Sequence, residues 1–396
     1  MYLFAQHGYG KSDKIESGLR AGLIRGIVLS PRFERRSTLE SFIWDLRAEF
    51  GEQVTMIFDP QFYAAALPDA RAGRLVEYPY FAVGLTFADF KPSQIREYVA
   101  SVTAYQAGLL VDRLVAPTVF IEEVNSRWSQ IALSLAQEAI EVAEKASTLD
   151  TLLIPIVIDE AILKRRDDLD ELLEEMTSWK VRGFLVTVRC TDTRYPALLS
   201  ESQVANFMYF VYVLADRNQF EVVCTHSDFI GLLLQATGAF ATTTGWHATQ
   251  RQFSLKAFEA PMRGGQARER YSSAALLNSI LVIPELSKAV DLQLGPRIVA
   301  ATPYDEAIAR DPGNAAWPTA QACLHHWAVL SRLIGELAAI DSTRDRVELV
   351  EQWVANALNE YRTIGQRGVE FEETTGPRNL ERWQRALQSF KEEVLR

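Results

Sequence analysis

Short runs of β-branched and aromatic residues recur along the chain, and each ends on polar side chains: 2–6 (YLFAQ), 26–30 (GIVLS), 54–59 (VTMIFD), 118–122 (TVFIE), 153–159 (LIPIVID), 183–189 (GFLVTVR), 221–226 (EVVCTH) and 239–244 (AFATTT). Runs of this length and composition predict buried strands. Between them, apolar residues recur at helical spacing, as in STLESFIWDLRAEFG (37–51), PSQIREYVASVTAYQAGLLVDRL (92–114) and SRWSQIALSLAQEAIEVAEKAS (126–147). The helix openings carry start signals: Ser37-Thr38 precedes Glu40, and Ser126 and Asp228 stand where N-caps are expected. Gly51 supplies the corresponding stop.

Eight strand patterns alternating with helical ones predict a parallel sheet, and eight is the number that closes a (β/α)8 barrel. An open doubly wound sheet is the competing arrangement, but no Gly-rich GxGxxG turn follows the first strand as a dinucleotide fold requires. The expected fold is therefore α/β, a (β/α)8 TIM-like barrel over 1–300 with a C-terminal α-helical appendage over 301–396. An insertion at about 61–92 is expected to lie over the C-terminal mouth of the barrel as a lid. After residue 250 the pattern becomes long and amphipathic; the segment 272–290 is expected to supply the eighth barrel helix.

Composition narrows the function classes. The formal charge of −10 and the absence of a long Lys/Arg stripe do not indicate binding to a nucleic-acid backbone, although RGGQARERY (263–271) is locally basic. Cys190, Cys224 and Cys323 form no CxxC pair, so neither a disulfide framework nor a structural zinc site is expected. A strand cysteine is ordinarily a core residue, which leaves Cys190 and Cys224 weak as nucleophiles. The start of the chain lacks a basic segment followed by an apolar one, and no run of 18 apolar residues occurs. The expected setting is cytoplasmic, without membrane insertion.

In a (β/α)8 barrel the chemistry collects at the C-terminal strand ends. There stand Gln6-His7, Ser30, Asp59, Glu122-Glu123, Asp159-Glu160, Arg189, His226 with Asp228, and Thr244 with His247, so three of the five histidines fall on one rim. Asp59, Asp159 and Glu122 with His226 are the candidate catalytic set, since carboxylates sharing a cavity can divide into acid and base. His7, Arg189, Trp246, His247 and Tyr63 are candidate substrate-binding residues, and Gly245 a candidate phosphate-binding turn. The bland alternative is that these polar positions cap helices and that the aromatics line the mouth. No HxH or HExxH pattern occurs, so no cofactor is expected and a divalent metal is a minor alternative.

Residues 29–61, LSPRFERRSTLESFIWDLRAEFGEQVTMIFDPQ, resemble a segment of the tRNA-guanine transglycosylase superfamily through Ser30-Pro31 and Phe58-Asp59. The resemblance implies a (β/α)8 fold and a base-recognising, catalytic role for Asp59. The clustered cysteines of that family's zinc site and a GGLxxGE-like loop are missing. The functional expectation is an enzyme acting on a nucleobase, nucleoside or sugar-like small molecule, transglycosylase-like or hydrolytic. The alternative is a non-catalytic scaffold that docks a protein partner, or a second copy, through its C-terminal helices. Trp317, Trp327, Trp353 and Trp383 in that region are the residues such an interface would use.

Overall fold

A computed structural model describes residues 1–259 and 268–395. Its eight parallel strands are β1 (Tyr2–Gln6), β2 (Gly26–Leu29), β3 (Thr55–Phe58), β4 (Leu114–Val115), β5 (Leu152–Asp159), β6 (Gly183–Arg189), β7 (Glu221–Cys224) and β8 (Ala241–Thr244). They pair in the order β3-β2-β1-β8-β7-β6-β5-β4, and a single parallel bridge from Ile57 to Arg113 joins the two edges into a barrel. The expected (β/α)8 fold is what the chain adopts. The fourth strand lies earlier than its composition predicts: 118–122 contributes only an isolated bridge from Ile121 to Ile158, and ladder pairing is confined to Leu114–Val115. Pro117 supplies no amide donor, which interrupts the ladder between the two pieces.

Each strand sends one apolar side chain to the lumen: Phe4, Val28, Ile57, Val115, Leu153, Leu185, Val223 and Ala241 form one closed cluster. At roughly 1.5–3 kcal/mol per fully buried large side chain, this layer alone is a major source of barrel stability. The opposite faces of the strands pack on α1 (Lys14–Arg20), α2 (Arg36–Phe50), α3 (Pro92–Ala107), α4 (Arg127–Ala146), α5 (Arg166–Met176), α6 (Glu201–Tyr212) and α7 (Gly231–Ala236). Ser126 caps α4 by accepting from the Ser129 amide, and Gly51 ends α2 at φ +59°, as expected.

The eighth barrel helix is not the one expected. Residues 272–290 instead contribute to an antiparallel hairpin, β9 (Arg270–Ser273) with β10 (Asn278–Leu281), followed by helical turns. The position between α7 and α1 is taken by α8 (Thr319–Ala338), which also covers β1. Gly18 on α1 makes this packing possible, because a Cβ there would sit 2.6 Å from the Trp327 ring. Helices α9 (Thr343–Gln366) and α10 (Arg378–Val394) follow; α9 packs on α7, and α10 packs on both α6 and α9. Trp317, Trp327 and Trp383 are buried in these contacts and Trp353 is partly buried. Among the described residues no helix is long and apolar enough to cross a membrane.

Candidate functional site

Above the apolar layer, the next inward positions along the strands are polar: Gln6, Ser30, Asp59, Thr187, Thr225 and Thr243, all buried. They are tied together across strands. Thr243 Oγ1 donates to Gln6 Oε1 at 2.6 Å, Gln6 Nε2 reaches Ser30 Oγ at 3.4 Å, and the hydroxyls of Thr187 and Thr225 lie 2.7 Å apart. Asp59 accepts from the Gln61 amide at 2.9 Å, and no cation partners it among the described residues. Burial pushes its carboxyl up to about 7, the Gln61 amide pulling the other way.

The mouth over this layer is closed. Tyr63 from the insertion meets the rings of Phe253 and Phe258 at 5.7 and 5.8 Å, edge to face, and Val157 completes the apolar cluster. The Phe253 backbone is bound to the rim through a bridge to Arg189 and a 2.9 Å bond from the Cys190 amide. The insertion does cover the mouth, together with the segment after β8. Asp59 and Tyr63 are thus sealed inside rather than facing an open cavity.

The remaining predicted residues scatter. His7 is on the outward face of β1, since the pleat that turns Phe4 and Gln6 inward turns Leu3, Ala5 and His7 toward the helices. Its ring stacks on Phe42 of α2, its Nδ1 accepts from the Ser30 amide at 3.3 Å, and burial pushes it down to about 4. Asp159 is used up by an ion pair with Arg189 and by the Ala161 amide at 2.8 Å. Glu122 is exposed after the short β4. Trp246 is buried and donates to the Tyr9 carbonyl at 2.8 Å, while His247 is exposed and caps the turn Ala248–Arg251. Gly245 is small because Gln250 lies against it: a Cβ would meet Gln250 Cβ at 2.7 Å and the Gln6 carbonyl at 2.9 Å. That is a packing reason for glycine at this position.

Of the candidate set, His226 alone lines an open recess. It lies beside the mouth, at the C-terminal ends of β6, β7 and β8, and has a cavity volume of about 70 Å³. Its walls come from the loops after those strands (Tyr195, His226, Asp228, Arg251), from the hairpin (Asn278) and from α10 (Asn379, Trp383). His226 and Asp228 both hold left-handed backbone, φ +53° and +44°, although neither is glycine. Such conformations cost about 1–3 kcal/mol each and persist where surrounding contacts impose them. Asp228 does not cap the next helix as expected; its carboxylate points back to the recess wall.

There the Tyr195 hydroxyl donates to Asp228 Oδ2, and Arg251 Nη1 reaches Tyr195 Oη at 3.4 Å while Arg251 Nε donates to the Gly245 carbonyl at 2.7 Å. Burial alone would raise the Asp228 carboxyl, but the hydrogen bond from His326, with the Arg251 charge and the Tyr195 hydroxyl, outweighs it and holds it below the usual range. Burial, then the Asp228 charge, pushes the Tyr195 hydroxyl up to about 12, so it stays protonated. Burial also pushes His226 down to about 3, and its Nδ1 lies 3.1 Å from Thr225 Oγ1. Cys190 lines the recess, but burial, reinforced by neighbouring carboxylates, pushes its thiol up to about 12, which removes it as a nucleophile.

The recess therefore presents a protonated phenol, an anionic carboxylate, a neutral imidazole and a guanidinium between aromatic walls. Among the described residues no three His, Cys, Asp or Glu side chains gather as metal donors. Tyr195, Arg251, Asn379 and Trp383 carry no motif, and only the approach of three distant segments brings them together. No protein-family model matches the chain, and no curated protein is similar to it.

Proposed function

We propose that this protein is a TIM-like barrel enzyme that holds a small polar ring compound, of nucleobase, nucleoside or sugar type, in the recess beside β6, β7 and β8 and acts on it by acid–base chemistry. The observation that carries this reading is the Tyr195–Asp228 pair: a phenol that keeps its proton bonded to a carboxylate that keeps its charge, both on the wall of an open recess. Two titratable groups driven to opposite protonation states are the arrangement that divides acid from base. In the reaction, the bond from the ring carbon to a departing nitrogen or oxygen breaks as Tyr195 protonates the departing atom, Asp228 stabilises the positive charge on the carbon, and water adds to that carbon and returns a proton to the Tyr195 phenolate. Arg251 keeps the phenol aligned, and the faces of Trp383 and Phe229 suit a planar or ring-shaped ligand.

The scaffold alternative needs accessible anchors on the C-terminal helices. Trp317 and Trp327 are spent on internal packing and Trp383 forms part of the recess wall, which favours the enzyme reading. The test is native mass spectrometry for retained small molecules, followed by titration of tryptophan emission with adenosine, uridine and ribose. Saturable binding by wild type that Tyr195→Phe leaves in place, with turnover of the bound compound lost in that variant, is the expected result. Absence of both retained mass and saturable binding would sink the proposal.

A further inference from the structure

The recess has a polarity of its own, and it resides in two buried acceptors. Asp228 and Asn379 both line it, and Asn379 Oδ1 is shielded from solvent and makes no hydrogen bond with any described residue. Asp228 Oδ1 lies 3.2 Å from His326 Nε2, and Asp228 Oδ2 accepts from the Tyr195 hydroxyl. Asn379 is 8% exposed, on the first turn of α10. Arg251, the cation of the recess, is committed to the Gly245 carbonyl and to Tyr195. A buried acceptor without a donor is rare in folded proteins because it forfeits its hydration, and one on the recess wall beside a carboxylate calls for a donor from outside.

From this we infer that the recess takes a planar ring bearing N–H donors at its edge, an amino- or amidino-substituted heteroaromatic, and rejects rings whose edge is anionic or acceptor-only. The inference rests on the recess being the ligand site. Trp383, Tyr195 and Phe229 cover the faces of such a ring, and Asp228 and Asn379 receive its edge. Arg251 offsets the charge of Asp228, so a neutral amine or amide edge is accommodated as well as a cationic one. Asn379 can turn its amide to offer a donor, but a carboxylate can only accept, and Asp228 therefore sets the sign of the preference.

Benzamide, benzamidine and benzoate place different donor sets on one ring and serve as probes of the full-length protein through tryptophan emission. Benzamide and benzamidine are expected to quench saturably, with benzoate at least tenfold weaker. Asn379→Leu should weaken benzamide binding at least fivefold without shifting the thermal midpoint; Asp228→Asn is the second variant and should relax the discrimination against benzoate. Benzoate binding as tightly as benzamide would overturn the donor preference while leaving the recess a ligand site. Failure of all three probes to bind would remove both.

Discussion

His326 Nε2, on α8, lies 3.2 Å from Asp228 Oδ1, in the loop after β7, and His326 Nδ1 lies 2.8 Å from Ser272 Oγ of the hairpin. One buried imidazole therefore joins the barrel rim to the region that follows the barrel. His326 is fully buried and pushed down to about 4, so at neutral pH it is uncharged.

Replacing His326 with Leu removes the leading influence that lowers the Asp228 carboxyl. The Asp228 midpoint should rise, and the fold should lose about 1–3 kcal/mol through the lost contacts of the imidazole with Asp228 and Ser272. Carboxyl carbon NMR, with Asp228 assigned from Asp228→Asn, reads the first effect and denaturant unfolding the second. An unchanged Asp228 titration would deny His326 any hold on the carboxylate.

Asp59 should behave in the opposite sense. Its folded-state pKa, raised to about 7 from 3.8, means that the folded chain keeps the proton while the unfolded chain releases it. Its contribution is fully present below about 3.8 and is lost as pH rises toward 7. Asp59→Asn keeps the acceptor for the Gln61 amide and removes the titration, so it should stabilise the protein by about 4 kcal/mol at pH 7.5 and by little at pH 4. Equal stability changes at the two pH values would contradict this account.

His7, His325 and His326 are each pushed down to about 4, chiefly by burial. The unfolded chain takes up protons at these residues below about 6.5 and the folded chain does not, so stability falls as pH drops from 6.5 to 4. The slope should reach on the order of 1 kcal/mol per pH unit for each residue. Thermal melting of the Asp59→Asn variant isolates the effect from the opposing carboxyl. A flat melting temperature across that window would show that these imidazoles are protonated in the fold.

Asp159 and Arg189 form a rim pair with side-chain exposures of 6% and 25%. Asp159→Asn should cost about 1–3 kcal/mol in stability and leave ligand binding in the recess unaltered, because neither residue lines it. Loss of ligand binding at full stability would restore Asp159 to the site.

Glu221 closes the opposite end of the barrel, where Arg113 meets it at 2.9 Å through two nitrogens and Arg182 at 2.7 Å. Conservation of stability rather than chemistry is expected at that end. Glu221→Gln should destabilise by about 2–3 kcal/mol, leaving Arg113 partly buried without its anion, and should not change ligand affinity. Equilibrium unfolding and titration of tryptophan emission measure the two effects separately.

The rim of the barrel was readable along the chain, but its contents were not. Asp59 and His7 close the strands on either side of β2, yet one points to the lumen and the other to the helix layer, because the pleat alternates and a short apolar run does not reveal its phase. Asp159 and Arg189 both read as free chemistry until β5 and β6 pair in register and place them side by side. The segment 272–290 has apolar residues at helical spacing, but Leu277 holds φ +47° in the turn between β9 and β10, and burial beneath α8 favours the hairpin.

By itself the sequence determined the barrel: eight apolar runs with helices between them have few ways to bury both faces, and a closed parallel sheet is the one they took. Hydrophobic periodicity is a local property, and it suffices for that. Tertiary structure alone decided that Tyr63, Phe253 and Phe258 would seal the lumen, that α8 would be the eighth helix, and that a recess would open beside the mouth. Tyr195, Asp228, Arg251, His326 and Asn379 come from segments spread from residue 195 to residue 379. Their meeting depends on how the region after the barrel packs back on it, which is long-range burial that no local pattern encodes.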